Sequence, residues 1–103
     1  MAAFDIARLD DVIHGRMRLG IMAYLASAEV ADFNELKRLL DATQGNLSIH
    51  LRKLEDAGYV DIEKSFFGRK PLTRARITPA GRKAFADYLD AIAKLVDGAE
   101  GRR

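Results

Sequence analysis

Residues 43–56, TQGNLSIHLRKLED, combine an apolar stripe with an unusual opposite face. At about 100° per residue, a helix here sets Leu47, Leu51 and Leu54 on one side. The other side is centred on Ile49, with Gly45, Asn46, Arg52 and Lys53 close by. Ser48 and His50 lie at its margins, and Thr43 and Gln44 open the first turn. A solvent-facing helix would ordinarily alternate Glu and Lys there, whereas these positions are small, polar or basic. The two acids, Glu55 and Asp56, appear only in the last turns, away from the expected contact. Asn and Gln can pair twice with the edge of adenine and Arg with guanine, and an apolar group such as Ile49 suits the thymine methyl. That is the chemistry of reading a DNA groove.

Other chemistries find little support. The chain has no cysteine, which excludes disulfides and thiolate chemistry, and its two histidines, His14 and His50, fall on different helices. No Ser-His-acid set, P-loop or Gly-rich phosphate loop is present, so no enzyme activity, metal or cofactor is expected. His50 sits beside the leucine stripe and could equally bond a neighbouring backbone group. No apolar run approaches the roughly 18 residues of a membrane span. The opening MAAFDIARLDD is acidic too early for a signal peptide. A cytoplasmic protein is the expectation.

The elements needed to position that face follow from local patterns. Val12, Ile13, Met17, Ile21, Tyr24 and Leu25 predict a first helix over residues 10–27. Asp32 and Glu35 form a capping box that opens a short second helix buried through Phe33, Leu36, Leu39 and Leu40. Thr43 caps the third helix and Gly58 ends it. The apolar period then changes to two. Val60 and Ile62, then Ala75 and Ile77, predict antiparallel strands around FFGRKP, with Phe66-Phe67 read as wing packing. Thr78-Pro79 starts a last helix ending near Val96. Helix, helix, helix, hairpin, helix is a winged helix-turn-helix: mainly α, a three-helix core, a two-stranded wing and a terminal dimerisation helix. Residues 1–97 make one domain and 98–103 a flexible tail.

Residues 64–83 carry seven basic and no acidic residues. A turn at Gly68-Arg69 sets Glu63 opposite Arg74 and Asp61 opposite Arg76, with Val60–Ile77 and Ile62–Ala75 together on the apolar face. Arg74 and Arg76 are then either ladder partners or DNA contacts. Lys64, Arg69 and Lys70 have no such partners and suit phosphate or minor-groove contacts, as do Thr43 and Lys53 beside the third helix. Phe85, Tyr88, Leu89, Ile92, Leu95 and Val96 on the last helix, with Phe4, Ile6 and Leu9, exceed what a small winged domain covers alone. Burying them between two copies makes a homodimer, which matches a palindromic operator; the alternative is that the last helix folds back on its own core.

The segments HGRMRLGIMAYL, DFNELKRLL, GNLSIHLRKLEDAGYV and GRKPLTRARITPAGR, spread over about residues 9–92, resemble small stand-alone winged helix-turn-helix transcriptional regulators related to the MarR and ArsR groups. The resemblance implies a homodimer with the third helix in the major groove of double-stranded DNA and the wing on the flanking backbone. Carried over by position, the base-reading residues are Gln44, Asn46, Ser48, Ile49, His50 and Arg52, with Arg69 and Lys70 in the wing. The chain lacks the cysteines and paired terminal-helix histidines of ArsR-type metal sensors, and the long extra helices that form a ligand pocket in many MarR-type dimers. The competing function is a winged helix that docks a protein partner, which would not need Arg69 and Lys70.

Overall fold

The computed structural model describes residues 4–100. Its N-terminal segment is two short turns held by their own carboxylates. Asp5 accepts from the Ala7 amide at 3.0 Å and opens a 3₁₀ turn over Ile6–Arg8. Asp10 accepts from the amides of Val12 (2.8 Å) and Ile13 (3.3 Å). Helix α1 (Arg16–Ala28) therefore starts well after the expected residue 10, because Asp10 offers the backbone a turn in place of helix. Ile13 still reaches the core from that turn and is fully buried.

Helix α2 (Phe33–Leu39) begins at Asp32, whose amide donates to the Glu35 carboxylate at 3.3 Å. Tyr24 of α1 donates its hydroxyl to the same carboxylate and so ties the two helices together. Leu36 and Phe33 face inward as expected, whereas Leu39 is exposed. Helix α3 (Gln44–Asp56) starts where Thr43 Oγ1 accepts from the Asn46 amide at 3.1 Å. It ends in a Schellman motif: the Gly58 amide donates to the Glu55 carbonyl (2.9 Å) and the Tyr59 amide to the Leu54 carbonyl (3.0 Å). Gly58 takes φ +81°, a conformation costly for any residue with a side chain.

The hairpin has the expected register. Strands β2 (Val60–Phe67) and β3 (Lys70–Ile77) pair Val60 with Ile77, Glu63 with Arg74 and Phe67 with Lys70, around a turn at Gly68-Arg69. The sheet nevertheless has three strands, not two. Residues Val30–Asp32 pair with β3 through Arg76, Ala75 and Arg74, and in chain order they form β1, ahead of α2. Three residues are too few to show an alternating pattern, and their partner lies over forty residues away in the chain. Pro71 sits beyond the stretch that β1 covers, where a missing amide is tolerated.

Helix α4 (Pro79–Glu100) is capped by Thr78, whose Oγ1 accepts from the Gly81 amide at 2.9 Å and donates to the Gly58 carbonyl at 2.7 Å. It continues to Glu100, so residues 98–100, expected in a tail, are helical; residues 101–103 lie outside the described residues. The apolar residues of α4 divide between two surfaces. Tyr88, expected at a dimer interface, is 2% exposed and belongs to the chain's own core, where His14 Nδ1 lies 2.7 Å from its hydroxyl. Phe85, Ile92 and Leu9 also pack against that core. Leu89 and Val96 lie roughly 90° around the helix from Tyr88 and stay exposed. Among the described residues no helix is long and apolar enough to cross a membrane.

Tyr59 links the hairpin to both chain ends. Its hydroxyl donates to Asp10 at 2.5 Å, and this bond, more than burial or the nearby charge, raises its pKa to about 12. Its carbonyl accepts from Thr78 at 3.0 Å and faces α4 so closely that a Cβ at Gly81 would stand 2.1 Å from the oxygen. Gly81→Ala is therefore expected to destabilise the fold by about 1–3 kcal/mol through overpacking. Gly45→Ala, where a Cβ meets nothing within 4 Å, should stabilise by up to roughly 1 kcal/mol from helix propensity. Thermal melts of the two variants check both, and equal melting temperatures would refute the close-approach argument.

Candidate nucleic-acid interface

Three buried leucines orient α3. Leu47, Leu51 and Leu54 are at most 4% exposed, which turns Gln44, Gly45, Asn46, Ser48, Ile49, Arg52 and Lys53 outward. Ile49 is 58% exposed and forms a ridge with Gly45 and Lys53. The residues on either side of that ridge fall into different recesses. On the wing side Gln44, Ser48 and Arg52 line a groove of about 570 Å³ with Lys64 and Thr73 of the hairpin and Phe33 of α2. Four residues singled out in the sequence are thus brought together from α3 and the wing. Glu55 lines the same groove, contrary to the expectation that it lies away from the contact; about two helical turns beyond Ser48 and one beyond Leu51, it is carried round to their side. On the α1 side Asn46 and His50 line a second recess, of about 430 Å³, with Arg16 and Arg18.

His50 is bonded to a side chain, not to a backbone group. An Arg18 guanidinium nitrogen lies 2.9 Å from its Nδ1, and Arg18 is itself anchored on the carbonyls of Val12 and of Asp11 (3.4 Å). Arginine can only donate, so Nδ1 accepts and the imidazole is neutral with its proton on Nε2. Desolvation, and then the charges of Arg18 and Lys53, hold the His50 pKa below its ordinary 6.5. Sequence patterns alone missed Arg16 and Arg18; their only signal was a pair of basic residues at the start of an otherwise apolar helix.

The charge of the wing is redistributed by β1. Arg74 Nε lies 3.3 Å from Asp32, and Arg76 lies 3.3 Å from Glu63 and 3.8 Å from Glu29. The expected backbone register holds, but the ion pairs reach diagonally and across to β1. Asp61 takes no part in a salt bridge among the described residues. Lys83 pairs with Asp87 at 2.8 Å, and Arg82 donates to the Ala26 carbonyl at 3.1 Å. Of the seven basic residues in 64–83, those that form neither kind of bond among the described residues are Lys64, Arg69 and Lys70. These exposed pairs contribute at most about 1 kcal/mol each; their effect here is to leave the free positive charge of residues 64–83 in the wing. Phe66 and Phe67, expected to pack the wing, are instead 72% and 78% exposed at its end. Among the described residues, no three His, Asp or Glu side chains gather as a metal site would require.

The family model of the winged helix DNA-binding domain matches residues 17–96. The chain is 39% identical over 84 residues to an uncharacterized protein of Methanocaldococcus jannaschii, an alignment covering 82% of this chain and 91% of that protein. A structure described as a transcriptional regulator homologue from Pyrococcus horikoshii superposes with a TM-score of 0.80 at 34% identity, covering 85% of this chain and 87% of that one. NadR in complex with 4-hydroxyphenylacetate shares the fold, with a TM-score of 0.69 at 21% identity over 92% of this chain and 67% of that one.

The Arg18–His50 bond has a pH signature. A folded-state pKa below 6.5 means that protonation favours the unfolded chain, so this stabilisation is complete above 6.5 and lost as pH falls through the lower folded value. Melting temperatures measured at neutral pH and at about pH 5 should differ less for His50→Gln than for the parent. An unchanged difference would remove His50 from the account of acid stability.

Proposed function

Since this chain belongs to the winged helix DNA-binding domain family, we propose that it is a sequence-specific transcriptional regulator that binds double-stranded DNA as a homodimer. The observation that carries this reading is the outward arc of α3. Its first turns expose amide, hydroxyl, guanidinium and one apolar side chain with no carboxylate, beside a wing in which Lys64, Arg69 and Lys70 form no salt bridge among the described residues. In this reading Gln44, Asn46, Ser48, Ile49 and Arg52 meet base edges in the major groove, with His50 Nε2–H as a further donor. Thr43, Lys53, Lys64, Arg69 and Lys70 meet the sugar-phosphate backbone. Apolar residues left exposed at the chain ends support the homodimer: Ile6 at 69%, Leu89 at 49% and Val96 at 52%, with Phe4 and the half-buried Leu95 nearby in sequence. Two copies related by a twofold axis would read the two halves of a palindrome.

Fluorescence anisotropy with a random pool of duplex DNA, titrated across salt, followed by sequencing of the bound fraction, tests the DNA reading. Salt-dependent binding with enrichment of a palindrome is expected. Arg52→Ala should cost about 1–3 kcal/mol on the selected site and relax its sequence preference. Arg69→Ala with Lys70→Ala should weaken all sequences alike and lower the salt slope by about two. Parent-like binding by both variants would refute the site, and weak binding without enrichment would favour a protein-docking winged helix. Sedimentation should find the parent dimeric and Leu89→Asp with Val96→Asp monomeric. A monomeric parent that still selects a palindrome would contradict the interface.

A further inference from the structure

A hairpin end is ordinarily polar, yet this one leaves two adjacent phenylalanines almost wholly in water. Phe66 and Phe67 are 72% and 78% exposed, the most exposed large apolar side chains among the described residues. Side chains of paired antiparallel residues share a face, so Phe66 lies on the face of its partner Pro71, and Phe67 on that of Lys70. Two residues back from Phe66 along the same face is Lys64, paired with Thr73, and both line the groove that also holds Gln44, Ser48 and Arg52 of α3. Phe66 therefore extends the lining of that groove outward to the end of the wing. Phe67 flanks the turn with Arg69 and Lys70, which make no salt bridge among the described residues. The nearest acid along β2, Glu63, is bound to Arg76.

We infer that the wing tip is an apolar wedge: Phe66 and Phe67 enter the minor groove of the duplex beside the site read by α3 and partly unstack a base step there. The inference rests on the DNA-binding reading and deepens it. Free cations on both sides of an apolar point, with the nearest acid of the strand already paired, complement a polyanion with a hydrophobic interior. Duplex DNA offers that combination between its base pairs. Phenylalanine wedges inserted from the minor groove kink the duplex toward the major groove, which would draw the DNA around α3. Pyrimidine–purine steps unstack most readily, so the wedge would add a preference at a flanking step that no hydrogen bond reads.

The test uses a duplex recovered from the random pool, carrying 2-aminopurine at successive positions flanking the α3 site. With the parent protein, fluorescence should rise at one flanking step. Phe66→Ala with Phe67→Ala should abolish that rise and weaken binding about tenfold, the scale of one base–aromatic stack. Its salt slope should not change, since no phosphate contact is lost. Phe66→Leu with Phe67→Leu should retain part of the rise, because leucine also serves as a wedge. Both variants should melt with the parent, as the side chains are exposed. Binding by the parent without a rise at any position, or equal binding by the alanine variant, overturns the wedge and leaves the DNA reading standing. If the parent bound no duplex, both would fall. Phenylalanine-dependent binding to vesicles of anionic lipid, with DNA binding unaffected, overturns the wedge in favour of a membrane contact.

Discussion

Burial of Leu47, Leu51 and Leu54 is the constraint on which the rest of the molecule turns. Those three side chains anchor α3 in the core, and each full burial contributes roughly 1.5–3 kcal/mol. With that stripe fixed inward, the 3.6-residue period leaves no freedom in what faces out: the ridge of Gly45, Ile49 and Lys53, with a recess on either side. Thr43 and Gly58 determine where the helix begins and ends, and hence which of its residues reach the exposed N-terminal turns. The Schellman motif then delivers the chain to Tyr59, from which the hairpin and α4 are both positioned. Rotating α3 to present another face would bury Asn46 or Lys53 and expose leucine.

Charge follows the same division between what the fold uses and what it leaves. Glu29, just before the short strand β1, and Asp32, its last residue, engage Arg76 and Arg74; Asp87 engages Lys83. The basic segment that looks continuous in one dimension is reduced in three to Lys64 beside the groove and Arg69 and Lys70 at the wing tip. Positive charge thus remains where the wing stands next to α3. On the other flank Arg18 serves two purposes, fixing the N-terminal turns to α1 and holding His50 in its neutral form.

Features carried by local chemistry were legible in the sequence. The caps at Asp32, Thr43 and Thr78, the stop at Gly58, and the hairpin register all depend on residues close together in the chain or on a strict alternation. Those that depend on distant partners were not. Strand β1 is three residues long and exists only because β3 lies beside it. Tyr88 belongs to the same apolar stripe as Phe85 and Ile92, and nothing local separates its burial from the exposure of Leu89 and Val96. The outward placement of Phe66 and Phe67 was likewise hidden, because an apolar pair at a hairpin end reads as packing until the distant elements around it are placed. Glu55 was misplaced by attending to its distance along the helix and not its angle around it.

The central claim is that the outward arc of α3, together with the wing, is the surface that meets DNA. Backbone amide signals followed by NMR as a selected duplex is added would test it most directly. The account predicts that shifts concentrate at residues 43–53 and 64–70, with residues 79–97 of α4 little affected. Shifts confined to α4, or spread evenly with none at 43–53, would contradict it.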